Sequence, residues 1–278
     1  MSLRRVLSVL ALGLCATGLV GCGGDTLSFD PVAHAAGKTV DSQSARVVFS
    51  ATVTAEGVGA MSFDGTGAYD GRSRSGWMDM KLKIPLLQGQ GGGNPRMQMI
   101  FDGSDGLVMY MRSSLFLTAL PGGKSWVKVD LAKLGDKEGV DLEQLMNANQ
   151  ASPEQSLRML MAASDSHVID YDRVRGVLTT HYGLNVDLRR LAKDDKELRK
   201  SLDQLIDLTG ADSFPAEAWI DSQNRVRKLK VTMTMGANLG QQFSMTMVEE
   251  LYAFGTRVKV ALPPASQVAD LSALIGTR

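Results

Sequence analysis

From Arg46 onward the chain alternates. Val47, Phe49, Ala51 and Val53 fall on one side of a two-residue repeat, and Val48, Ser50, Thr52 and Thr54 on the other. That spacing predicts a strand with one face against a core. Glycine-rich turns at Glu56-Gly57, Asp64-Gly65 and Asp70-Gly71 predict closely spaced antiparallel strands. The meander continues through 77–84, 96–101, 107–112 and 126–129, interrupted by Gly89-Gln90-Gly91-Gly92-Gly93-Asn94-Pro95, whose composition predicts a flexible loop. Ahead of it, residues 30–42 predict a short helix of small residues, with Ala33, Ala36, Gly37 and Val40 on one side. Helices are predicted at 141–147 and 153–163, the second opened by Ser152 as cap and Pro153 in its first turn. Strands at 166–171 and 176–185 follow, then a helix over 194–208 carrying Leu198, Leu202, Leu205 and Ile206 at helical spacing. Strands return at 215–221, 226–235 and 241–251, and Leu262-Pro263-Pro264 begins an extended tail. Strands, then helices, then strands predict an α+β fold, with helices gathered on one face of an antiparallel sheet.

The apolar register is rich in methionine. Among the 15 methionines, five pairs recur two residues apart in predicted strands: Met78/Met80, Met97/Met99, Met109/Met111, Met233/Met235 and Met245/Met247. Side chains two apart on a strand share a face. The same registers extend to Leu82, Phe101 and Phe243, while Asp79, Lys81, Lys228 and Lys230 fall on the opposite side. One face is therefore wet and the other broad, apolar and full of thioethers. Two arrangements fit this pattern. Helices close over the face and the methionines fill a core, or sheet and helices leave a cavity for long apolar ligands lined by these flexible side chains. Fully packed sheets favour Val, Ile and Leu, whose rotamers are better defined.

The first 21 residues stand apart. Arg4 and Arg5 precede an apolar run from Val6 to Val20, a secretory signal too short to span a membrane stably. The run ends in Leu19-Val20-Gly21-Cys22, which resembles a bacterial lipobox. That resemblance implies diacylglycerol on the Cys22 thiol, cleavage before it, and a new amine open to a further acyl chain such as palmitate. The expected division is a signal peptide over 1–21, lipidated cysteine and tether over 22–29, and one domain over 30–278. The expected location is the extracytoplasmic face of the cell membrane, held by the lipid.

Charge and chemistry narrow the function. Lys and Arg number 30, as do Asp and Glu, and loss of Arg4 and Arg5 leaves a slight acidic excess. A concentrated positive field for nucleic acid is missing, so none is expected as a partner. Cys15 lies in the signal and Cys22 is the anchor candidate, so no cysteine remains for a disulfide or thiolate site. His34, His167 and His181 lack metal-ligand spacing, and neither a metal nor a cofactor is expected. Gly122-Gly123-Lys124-Ser125 lacks the first glycine of a phosphate loop and runs into a strand, so it reads as a turn. Gly103-Ser104-Asp105-Gly106 likewise reads as a hairpin turn. No catalytic constellation is visible.

Several segments resemble the LppX/LprA/LprF/LprG lipoproteins of actinobacteria: Ala45-Arg46-Val47-Val48-Phe49 after the early helix, 125–131, 174–182, 215–221 running into 226–229, and 254–260 followed by Leu262-Pro263. The resemblance spans most of residues 30–271. It implies a strongly curved antiparallel sheet, a half-barrel with helices on its concave face, similar to the lipoprotein carrier LolA. It also implies an acyl lipid or lipoglycan ligand, contact with the membrane through Cys22, and a membrane transporter as partner. No catalytic motif is carried over. The expected cavity lining is Met78, Met80, Leu82, Met97, Met99, Phe101, Met109, Met111, Met233, Met235, Phe243, Met245 and Met247. The alternative is a closed-core lipoprotein that docks a protein partner during envelope assembly.

Overall fold

The computed structural model describes residues 30–55, 57, 59–85, 94–104, 108–130, 153–191, 199–200, 202–203, 206–207, 210–235 and 243–271. The signal and Cys22, the predicted helix at 141–147 and most of the glycine loop lie outside them. Helix α1 (Pro31–Val40) opens the chain. Strands β1 (Ser44–Ala55), β2 (Gly59–Asp70), β3 (Ser75–Lys83), β4 (Arg96–Asp102), β5 (Val108–Ser113) and β6 (Trp126–Asp130) follow. Helix α2 (Pro153–Leu160) leads into β7 (Ala163–Val174) and β8 (Val177–Asp187), and the short helix α3 (Leu188–Leu191) comes next. Then come β9 (Ser213–Asp221), β10 (Val226–Met235), β11 (Phe243–Tyr252) and β12 (Val268–Asp270). All twelve strands join one curved, open sheet in the order β12-β6-β5-β4-β3-β2-β1-β11-β10-β9-β8-β7. The α+β class and the open half-barrel expected from the sequence both hold. One pairing is new: β12, drawn from the predicted tail, runs parallel to β6, with Ala269 opposite Val127.

Asp30 caps α1, its Oδ1 accepting from the N–H groups of Val32 (2.8 Å) and Ala33 (3.1 Å), which satisfies two of the helix's orphan donors. The buried side of α1 is Val32, Ala35, Ala36 and Thr39, which corrects the predicted face of Ala33, Ala36, Gly37 and Val40. A hydrogen bond sets the difference. The Thr39 hydroxyl accepts the Val226 N–H at 2.8 Å and donates to the Ala35 carbonyl at 2.6 Å, both in the interior. This turns Thr39, not Gly37, toward the sheet. The predicted helix over 153–163 stops at Leu160, because Ala163 already pairs with Val186 across β7 and β8. From the helix predicted over 194–208, Leu202 and Ile206 pack in the core, while Leu198 and Leu205 lie outside the described residues.

Asp64-Gly65 is a second correction. It is no turn but the middle of β2. A Cβ on Gly65 would stand 2.5 Å from the Phe49 ring and 2.7 Å from the Asp79 carbonyl, so the glycine is there for close approach rather than for bending. Asp70-Gly71 does turn, with the Asp70 carboxylate accepting the Arg72 N–H at 3.0 Å.

The main core lies where α1 and α2 cover the sheet. Val47, Leu184, Val186, Leu229, Val231 and Leu251 pack there with Val32, Leu157 and Leu160. A smaller cluster forms around Val127 and Val129 on β6, with Met109, Met111, Phe116, Leu120 and Leu271 against it. Strands β2, β3 and β4 lie between the two clusters.

Candidate functional site

Registry across the strands decides whether the methionines form a surface. Residues directly opposite in antiparallel strands point to the same side. One rung runs Leu251, Val47, Gly67, Met78, Met99, Met111, Val127 from β11 to β6 without a break. The next runs Leu229, Glu249, Phe49, Gly65, Met80, Met97. Val231 pairs with Met247, Met233 with Met245, Met235 with Phe243, and Phe63 with Leu82. Phe101 stands between Gly76 and Met109. All thirteen expected positions therefore share one face of the sheet, which is also the face that α1 and α2 cover.

Their environments differ. Leu82 is buried. Met233 and Met247 lean on the main core, and Met109 and Met111 on the smaller cluster. Met78, Met80, Met97, Met99 and Phe101, on the strands between, are half-buried, as are Phe243 and Met245. Only the backbone of Met235 is described. The two inward glycines, Gly65 and Gly67, lie among these residues, and a Cβ on Gly67 would stand 3.2 Å from Met78. The floor between the clusters is thus low in bulk and lined by long, unbranched, polarizable side chains that adapt to irregular apolar shapes.

One polar group lies on this face that sequence reasoning missed. Glu249 follows Phe243, Met245 and Met247 at two-residue spacing, and it is 5% exposed. The two-residue register itself was the signal, since it placed a carboxylate where only apolar groups were sought. Ser156 of α2 hydrogen-bonds to it. Burial pushes the Glu249 carboxyl up to about 7 from its ordinary 4.5, and the Ser156 bond opposes part of that rise.

The opposite face is polar, and on it a charged cluster from β7, β8, β9 and β10 surrounds the buried His181 and Trp219. His181 sits between the Asp170 carboxylate (Nδ1 to Oδ1, 2.9 Å) and Glu217 (Nε2 to Oε2, 3.0 Å), stacked on Trp219 at 4.0 Å. Lys230 donates to Glu217 at 2.7 Å, and the Lys228 ammonium lies 4.1 Å over the Trp219 ring. Burial would raise Glu217, but the bonds from Lys230 and His181 outweigh it and hold its carboxyl below the ordinary value. Both ring nitrogens of His181 are therefore partnered. The same face carries an open groove of about 510 Å³, lined by Val48, Ser50, Thr66, Asp79, Lys81 and Arg96 among others. Its ionic walls would have to lose water without replacement partners to hold an acyl chain, so the apolar face is the better candidate. Among the described residues no group of His, Asp or Glu is arranged to hold a metal ion.

No protein-family model matches the chain. It is 30% identical over 167 residues to an uncharacterized 31.2 kDa protein of the rplA-rplJ intergenic region of Streptomyces griseus. The match takes in 57% of this chain and 52% of that protein, so the chain spans about half the length of its curated relative. Among solved structures it is similar to LprF from Mycobacterium bovis (13% identity, TM-score 0.43, covering 84% of this chain and 95% of that one). It is also similar to the lipoprotein LppX of Mycobacterium tuberculosis (11% identity, TM-score 0.40, covering 84% and 100%).

Proposed function

We propose that the protein is an envelope lipoprotein, anchored through Cys22, that binds or carries an acylated lipid or lipoglycan on its methionine-lined face. The observation that supports this best is the registry: thirteen apolar positions from widely separated segments converge on one face, and of those between the two packed clusters Met78, Met80, Met97, Met99 and Phe101 are only half-buried. Each acyl methylene buried there contributes about 0.8 kcal/mol before ordering costs. Recognition of the chain is then non-directional and tolerant of length. The half under α1 and α2 is occupied by the main core, so the ligand is assigned to the floor made by β2, β3 and β4.

Native mass spectrometry of the full-length protein, with uptake of a fluorescent fatty acid, tests the reading. A non-covalent acyl lipid should co-purify. Met99→Asp should abolish uptake while Met99→Leu retains it, with urea unfolding used to check that both variants fold. Recovery of the wild type free of lipid and unable to take up the probe would overturn the proposal and favour a protein-docking role.

A further inference from the structure

Large exposed apolar side chains are not scattered over the described residues. Five of the seven, Met161, Val168, Ile169, Tyr171 and Leu178, fall between positions 161 and 178, at the end of α2 and on the β7–β8 hairpin. Tyr171 is 71% and Leu178 57% exposed. Strand β7 is the last of the sheet, with β8 on one side only. Val168 pairs with Tyr182 and Tyr171 with Thr180, which sets Val168, Tyr171 and Leu178 on the helix-bearing face. Ile169, at the register shift between Val168 and Asp170, lies over Gly183 on the other, where a Cβ would stand 3.1 Å from it. The apolar groups thus form a ridge straddling the sheet edge. Single exposed hydrophobes are ordinary, but a contiguous row marks a contact surface.

Strand addition is a poor fit for this edge. Asp165 has φ +56°, and register shifts fall between Ser164 and His167 and between Val168 and Asp170. Such bulges spoil the regular ladder that an added strand needs. The entry point of the chain favours a lipid surface instead. Asp30 Oδ2 accepts from Ser166 Oγ at 2.7 Å, so the chain enters the domain beside β7. Cys22 lies eight residues earlier, a reach of at most about 28 Å. Ser166 to Tyr171 is about 17 Å along the strand. We propose that the β7–β8 edge is the surface on which the anchored protein rests on the bilayer; this depends on the Cys22 anchor in the function proposed above, though not on cargo in the methionine face.

The backbone dictates the depth. Among the described residues no strand pairs with the outer edge of β7, and its N–H and C=O groups cannot enter hydrocarbon. The ridge therefore seats at the boundary of headgroups and acyl chains, where a tyrosine keeps its hydroxyl wet and its ring dry. The acids of the strand do not oppose this strongly. Asp170 and Asp172 fall on the other face from Tyr171 and Leu178, Asp170 against His181, whereas Arg173, opposite Leu178, shares the face of the ridge and suits anionic headgroups.

The chain has only Cys15 and Cys22, so a cysteine introduced into the acylated protein is a unique labelling site. Tyr171→Cys, Leu178→Cys and, as control, Leu262→Cys are labelled with bimane and bound to phosphatidylcholine–phosphatidylglycerol vesicles containing nitroxide lipids. Labels at 171 and 178 should shift to the blue and lose emission to shallow nitroxides, while the label at 262 should do neither. Equal exposure of all three to water overturns the proposal, as does failure of the protein to float with the vesicles. A blue shift that grows with protein density, without nitroxide quenching, assigns the ridge to a second copy of the chain and overturns it as well. Fatty-acid uptake by the same labelled proteins is read separately, so loss of cargo binding with quenching intact counts against the carrier reading alone.

Discussion

Glu249 should make the protein less stable as pH rises from about 4.5 to neutrality. In the unfolded chain its carboxyl ionises near the ordinary 4.5, whereas burial in the fold holds it up to about 7. Between those values the folded protein keeps a proton that the unfolded chain has released, so stability falls with rising pH. Each pH unit within the window costs about 1.4 kcal/mol, and the whole window roughly 3 kcal/mol. That contribution is fully present below pH 4.5 and gone above 7. Glu249→Gln keeps the shape and a group able to bond Ser156, yet does not titrate. Urea unfolding of both proteins at pH 5, 6, 7 and 8, followed by tryptophan fluorescence, reads the difference. The variant should gain on the wild type by a margin that grows up to pH 7 and then levels off, with no change in m. The low-lying carboxyls Glu217 and Asp221 titrate below this window and are common to both proteins, so they cancel. A margin that is flat across the range, or that shrinks as pH rises, would refute an apolar setting for this carboxyl.

Two smaller perturbations examine how the sheet and α1 are fitted. Thr39→Val keeps the volume but leaves the buried Val226 N–H without its 2.8 Å acceptor, and should cost about 1–3 kcal/mol in urea unfolding; an unchanged midpoint would mean that another acceptor replaces the hydroxyl. Gly65→Ala drives a methyl against the Phe49 ring and the Asp79 carbonyl and should cost about 1–3 kcal/mol. Adding Phe49→Ala relieves only the ring contact, because the carbonyl belongs to the neighbouring strand, and full recovery in that double variant would contradict the strand spacing.

How far the sequence could be read depended on the range of the interaction concerned. The alternation of Val47, Phe49, Ala51 and Val53, and the pairs such as Met97 and Met99, needed only the two-residue geometry of a strand, and the structure places them on one face as that geometry requires. Asp64-Gly65 misled for the opposite reason. An Asp-Gly pair signals a turn locally, but here the glycine answers to a Phe49 ring from the adjacent strand. The inward turn of Thr39 likewise rests on Val226, 187 residues away. The parallel seat of Val268–Asp270 beside β6 has no sequence signal of its own, since three residues carry too little periodicity.

Composition and local periodicity alone determined the strand-rich α+β class and the single apolar face with its methionines, while the anchor candidate at Cys22 came from resemblance to a lipobox. These follow from rules that act within a few residues. Which strands adjoin, where α1 and α2 cover the face and leave methionines half-buried, why Glu249 lies in the dark, and which edge keeps its apolar ridge uncovered were decided only by tertiary structure. Each of these depends on surface removed from water by residues far apart in the chain, and burial of that kind has no local signature.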